Sequence, residues 1–212
     1  MIKLIDDSKV IFWDFDGVIK DSVEVKSDAF AKLFEVFGSA AVKKIRSHHE
    51  ENGGVSRYEK LPIYLEWLGQ HPSQVLIDEY AERFSVLVKQ KVIESDWVLG
   101  VLDYLERYSR NKTFFLVTAT PQTEIEEILI ALKIQHYFCR IIGAPIKKEE
   151  SIRMLLTKYL IEPNQAVMIG DSNSDYDAAS ANHVPFVLRR TYLNLPLQEK
   201  LNCTMIDDFC DE

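Results

Sequence analysis

From Val10 to Trp13 the chain is apolar, β-branched and aromatic without a break, the pattern of a strand buried on both faces. After Gly17 the spacing of apolar positions becomes helical and stays so as far as Glu94. Ala29, Phe30, Leu33, Phe34 and Phe37 form one helical stripe. Glu51-Asn52-Gly53-Gly54 marks a loop, and a second helical stretch starts at Ser56, with Pro62 bending or ending its first part. Ser73 is placed to cap a long helix reaching toward Glu94. No convincing strand falls in this block.

From Asp96 onward helices and strands alternate. Val98, Val101, Leu102 and Leu105 give a helix face. Thr113 to Val117 predicts a strand, with Thr120-Pro121 as the cap and first position of the next helix, which runs to about Leu132. Arg140 to Gly143 and Ala166 to Ile169 predict further strands, and Pro185 to Leu188 is strand-like. A helix over Ser151 to Leu160 and a shorter one after Asp171 separate them. Such alternation implies βαβ units and a parallel sheet. The fold expected is α/β: a doubly wound, Rossmann-like core of residues 1–19 and 96–212, interrupted after its first strand by a helical cap of residues 20–95.

A chain of 212 residues holds one full-sized core plus a smaller module. Its net charge of -8 counts against a broad nucleic-acid or anionic-membrane surface, though not against a small anion held at one positive point. Lys3, Asp6, Asp7 and Lys9 interrupt the first apolar segment, which therefore reads as neither signal peptide nor membrane span. Cys139, Cys203 and Cys210 are scattered, with no Cys-x-x-Cys pair, so a reducing, cytoplasmic setting is expected.

Polar groups stand at the ends of four predicted strands: Asp14 and Asp16, then Thr118, then the pair Lys147-Lys148, then Asp171 with Asp175. In open α/β sheets the ligand crevice lies outside the carboxyl ends of the strands, so these groups converge. Four clustered carboxylates repel one another and shift toward their protonated forms unless a cation neutralises them. A hard, oxygen-liganded dication such as Mg²⁺ is the expected answer.

Asp14-Phe15-Asp16-Gly17-Val18, Thr118, the lysine before Glu149 and Gly170-Asp171-Ser172-Asn173-Ser174-Asp175 resemble, in order, the four motifs of the haloacid dehalogenase superfamily of phosphotransferases. The helical insertion resembles the branch that holds phosphoglycolate phosphatases and β-phosphoglucomutases. The resemblance implies a Mg²⁺-dependent phosphatase acting on a small phosphorylated metabolite. In it Asp14 is the nucleophile that forms an aspartyl-phosphate, and Asp16 is the acid that protonates the leaving alcohol and then the base for water. Asp14 and Asp171 would bind the metal directly, Asp16 through its backbone carbonyl, and Asp175 would support the site through water or Lys148. Thr118 and backbone N–H groups would hold the phosphoryl oxygens beside Ala119, and lysine would add positive charge. Spacing to Ile152 favours Lys148 over Lys147. Asp21-Ser22, at the cap entrance, also resembles a family feature, with a helix cap as the alternative.

In the cap, Gly54 and Arg57 resemble the loop that family members hold over the active site, with a solvated turn as the alternative for Arg57. His48-His49-Glu50-Glu51 invites a metal reading, which fails because adjacent residues of a helix do not share a face. A phosphomutase shares all these motifs and differs only in where the phosphoryl group goes. A true dehalogenase has no need of Asp16. A response-regulator-type phospho-acceptor carries its Asp after a middle strand and has no large helical insertion. A binding protein without turnover has no need of the complete set.

Overall fold

The computed structural model describes residues 3–210. A short helix, α1 (Lys3–Asp7), leads into β1 (Val10–Trp13). Four helices follow: α2 (Val23–Leu33), α3 (Ser39–Glu51), α4 (Arg57–Trp67) and α5 (Gln74–Glu94). The chain then alternates through α6 (Val101–Tyr108), β2 (Thr113–Pro121), α7 (Gln122–Ala131), β3 (Arg140–Ala144), α8 (Lys148–Tyr159) and β4 (Ala166–Gly170). It ends with α9 (Asn173–Ala181), β5 (Phe186–Arg189), α10 (Leu195–Lys200) and β6 (Thr204–Ile206).

The six strands form one parallel sheet in the order β3-β2-β1-β4-β5-β6. Its central strands are buried on both faces, as their unbroken apolar runs require. Ile11 and Trp13 of β1, with Val167 and Ile169 of β4, face α6 and α7. Val10, Phe12, Ala166 and Met168 face α8, α9 and α10. The fold is thus a doubly wound α/β core carrying an inserted helical cap. No helix of the described residues is long and apolar enough to cross a membrane.

The chain leaves and re-enters the core at adjacent points. Asp21 N–H donates to the Asp96 carbonyl at 2.8 Å, and Val98 N–H to that of Ile19 at 3.1 Å. Lys20, buried between these segments, donates to the Ile93 carbonyl at 3.1 Å and lies 4.3 Å from the Trp97 ring centre. The cap has its own aromatic centre. Phe30 meets Tyr64 edge to face at 5.5 Å, and Phe34 stacks on Tyr80 at 5.2 Å. Each such fully buried ring contributes about 1.5–3 kcal/mol.

Several expected boundaries move. Pro62 lies inside α4, which continues to Trp67 on the buried face of Leu61, Tyr64 and Leu65. Strand β2 runs on through Pro121, so the Thr120 side chain caps no helix and α7 begins at Gln122. Helix α8 starts three residues before Ser151, at Lys148. Leu102 is partly exposed, and the three-residue edge strand β6 has no clear sequence signal. Ser73 does cap α5, accepting from Leu76 N–H at 3.3 Å.

Candidate active site

Strand β1 delivers Asp14 to the carboxyl edge of the sheet, where its N–H still extends the ladder to the Ile169 carbonyl at 3.0 Å. One carboxylate oxygen accepts the Phe15 N–H at 2.7 Å, and the other lies 2.9 Å from Lys148 Nζ. Lys148, at the first turn of α8, also reaches Asp175 Oδ1 at 2.6 Å. Lys147 points outward and pairs with Glu59 of the cap at 3.0 Å, so Lys148 is the lysine that faces the carboxylates.

Strand β4 ends in Gly170 and Asp171. A side chain at Gly170 would collide with Asp175, and one at Gly17 would collide with the Asp171 carboxylate. Gly17 also has φ +76°, so both the backbone and the space demand glycine there. Asp175 closes a capping box at the start of α9: its Oδ2 accepts the Ser172 N–H at 3.2 Å and the Ser172 hydroxyl at 2.6 Å. With Lys148 on its other oxygen, Asp175 is fully engaged in positioning.

Carboxylate oxygens of Asp14, Asp171 and Asp175 lie within 4.8 Å of one another, all buried. Burial, then the charge of Asp175, pushes Asp14 up to about 7 against the pull of Lys148. Asp171 is raised well above the usual range by burial and by Asp14 and Asp175. Burial works against the Lys148 charge, but Asp14 and Asp175 outweigh it and hold the ammonium protonated above its ordinary range. One lysine does not balance these acids. Buried, hard oxygen donors carrying surplus negative charge fit a divalent cation such as Mg²⁺.

Asp16 is held differently. Ser22 Oγ donates to its Oδ1 at 2.6 Å, Lys26 of α2 forms an ion pair with Oδ2, and Thr120 Oγ1 donates to the same oxygen at 3.2 Å. Burial alone would raise Asp16, yet Lys26 and Ser22 overcome it and hold the carboxyl below its ordinary value. Ser22 therefore spends its hydroxyl on Asp16 rather than on capping α2.

A cavity of about 60 Å³ lies between these strand ends and the cap. Asp14, Asp16, Thr118, Ala119, Lys148 and Asp171 line it from the core, and Gly54 and Arg57 from the cap. Asp175 lies behind this wall. Thr118 Oγ1 accepts the Thr120 N–H at 3.2 Å. Gly54, with φ +73°, brings the cap loop so close that a side chain there would meet Ser172 Oγ and approach Lys148 Nζ.

Arg57 is not the solvated turn residue of the alternative reading: it lines the cavity from the cap and is itself paired. It is buried, donates to Glu124 of α7 through Nη1 at 2.9 Å and through Nη2, and also donates to Ser85 Oγ at 2.6 Å. His48 and His49 take separate partners, Tyr64 Oη at 3.1 Å and Lys60 Nζ at 3.0 Å. Sequence reasoning missed Lys26, Lys60 and Glu124. Each stands one helical turn from buried apolar neighbours, so a charge on the apolar stripe was the available signal.

Residues 10–188 match the model of the haloacid dehalogenase-like hydrolases. The chain is 27% identical to a phosphorylated carbohydrates phosphatase of Thermotoga maritima, over 82% of this chain and 81% of that one. It is 25% identical to phosphoglycolate phosphatase 1 of Pseudomonas aeruginosa, over 96% and 78%. Among solved structures it resembles the β-phosphoglucomutase of Clostridium difficile, with TM-score 0.74 and 23% identity over 95% and 92% of the two chains. The strand-end carboxylates, the engaged lysine and the match across nearly the whole core lead to one assignment: the chain belongs to the haloacid dehalogenase-like hydrolase family.

Proposed function

We propose that the protein is a Mg²⁺-dependent phosphatase that hydrolyses a small phosphorylated metabolite through an aspartyl-phosphate on Asp14, with residues 20–95 as the cap. The observation that carries this reading is the buried junction of Asp14, Lys148 and Asp171 at the cavity floor, with a second carboxylate, Asp16, beside it. The phosphatase names of the two bacterial relatives support it.

Asp14 and Asp171, with the Asp16 carbonyl, would hold Mg²⁺, which when bound supplies positive charge against the acids and the phosphoryl oxygens. Asp175 and Lys148 keep the floor rigid. Asp14 attacks phosphorus, the ester bond to the alcohol breaks, and Asp16 gives that oxygen its proton. Water then attacks the aspartyl-phosphate while Asp16 takes its proton, which releases phosphate and restores Asp14. Lys148 and Thr118 face the phosphoryl oxygens as charge and hydrogen bonding shift through each step. As held by Lys26 and Ser22, Asp16 is ionised, the form that serves the water step. Its acid role requires a looser Lys26 contact.

A panel of phosphorylated metabolites assayed for phosphate release, with and without Mg²⁺, tests the proposal. Mg²⁺-dependent release from at least one small ester is expected, and none from any member would oppose it.

A further inference from the structure

Four basic side chains line the cavity, and three have a carboxylate partner: Lys148 has Asp14 and Asp175, Lys26 has Asp16, and Arg57 has Glu124. The fourth, Lys60 of α4, is 1% exposed, and its hydrogen-bond partner among the described residues is an imidazole, His49 Nδ1 at 3.0 Å. Neighbouring Glu59 is turned to Lys147. His49 supplies no countercharge, since burial and then Lys60 hold it neutral, well below its ordinary range. A buried ammonium without an anion is unfavourable, and packing alone would be served by an apolar side chain.

We infer that Lys60, oriented by His49, is the cap group that receives a second anionic group of the substrate, a carboxylate or a further phosphoryl group. This rests on the phosphatase reading above. The transferable phosphoryl group lies on Asp14 while the remote anion reaches up to Lys60. Asp14 and Lys60 line one and the same cavity, Asp14 from the core and Lys60 from the cap, so one small molecule meets both. Arg57 lines the same cavity, but its charge is matched by Glu124, whereas that of Lys60 has no such match. Burial, then Lys26 and Lys148, pushes Lys60 down to about 7, with Glu59 acting weakly the other way. An arriving anion therefore supplies the missing charge and draws a proton onto the amine.

Lys60→Met and Lys60→Arg decide the matter on three esters: phosphoglycolate, propane-1,3-diol bisphosphate, and ethyl phosphate, which lacks a remote charge. The wild type should favour one of the charged esters. Lys60→Met should cut kcat/KM for that ester about ten- to hundredfold more than for ethyl phosphate, mainly through KM. Lys60→Arg should recover part of the loss, and the melting temperature of Lys60→Met should not fall below that of the wild type. Whichever charged ester loses more identifies the anion. Equal losses on all three, or a wild type with no preference for charge, would overturn the inference and leave the phosphatase reading intact. A wild type that hydrolyses none of these esters, nor any of the wider panel, would overturn both.

Discussion

Asp16 shows how three neighbours set the behaviour of one carboxyl. Ser22, Lys26 and Thr120 all contact its side chain, and none of them touches its carbonyl through those bonds. Asp16→Asn should therefore leave Mg²⁺ affinity nearly intact in calorimetry while lowering kcat by about a hundredfold or more. Parallel loss of both would contradict the separate assignment of side chain and carbonyl. Removing the Lys26 charge should raise Asp16, because Lys26 is the chief group holding it down against burial. The limb of the pH–rate profile that vanishes in Asp16→Asn should then move to higher pH in Lys26→Met. An unmoved limb would show that Lys26 does not govern this group. Sequence made the carboxylates legible because each follows a buried apolar run directly. Lys26 and Lys60 follow no strand and belong to no motif, so nothing drew them out, although Lys26 shares the stripe of Ala29, Phe30 and Leu33, and Lys60 lies one turn from Tyr64.

Cap and core meet through α4, α5 and α7. The Arg57–Glu124 pair is nearly dry, with side chains 3% and 6% exposed, while Lys89–Glu127 beside it is exposed. Removing one member of a buried pair leaves an uncompensated charge at a cost of about 3–5 kcal/mol. Glu124→Ala should lower stability by that order in denaturant unfolding, and Arg57→Met/Glu124→Leu should recover most of it. A Glu124→Ala variant as stable as the wild type would show that the pair is not a structural clasp. This contact was out of reach of sequence reasoning, which reads one helix at a time, whereas the pair exists only through packing between helices far apart in the chain. Strands β1, β4 and β5 were legible because central strands carry unbroken apolar runs. Edge strand β6 is half-buried and too short to show a period.

For the molecule as a whole, the excess of buried acid links stability to pH and to metal. Asp14 is raised from 3.8 to about 7, and Asp171 in the same direction, both chiefly by burial. The folded state thus binds these protons more tightly than the unfolded chain. Their contribution to stability is complete below the ordinary aspartate value and is lost as pH rises through about 7. Mg²⁺ should raise the melting temperature more at about pH 8 than at about pH 5, since it replaces the lost protons. A Mg²⁺ effect that does not grow with pH would count against these acids as its ligands. The doubly wound class and its helical insertion were legible, because the pattern switches from helical period back to alternating strands and helices; the strand order and β6 were not, since sheet neighbours are set by packing. The most direct test of the central claim is mass spectrometry of acid-quenched enzyme during Mg²⁺-dependent turnover. One phosphoryl group should appear on the peptide carrying Asp14 and be absent from Asp14→Asn, which should fold at least as stably and release no phosphate. A phosphoryl group on another residue, or sustained turnover by Asp14→Asn, would contradict the account.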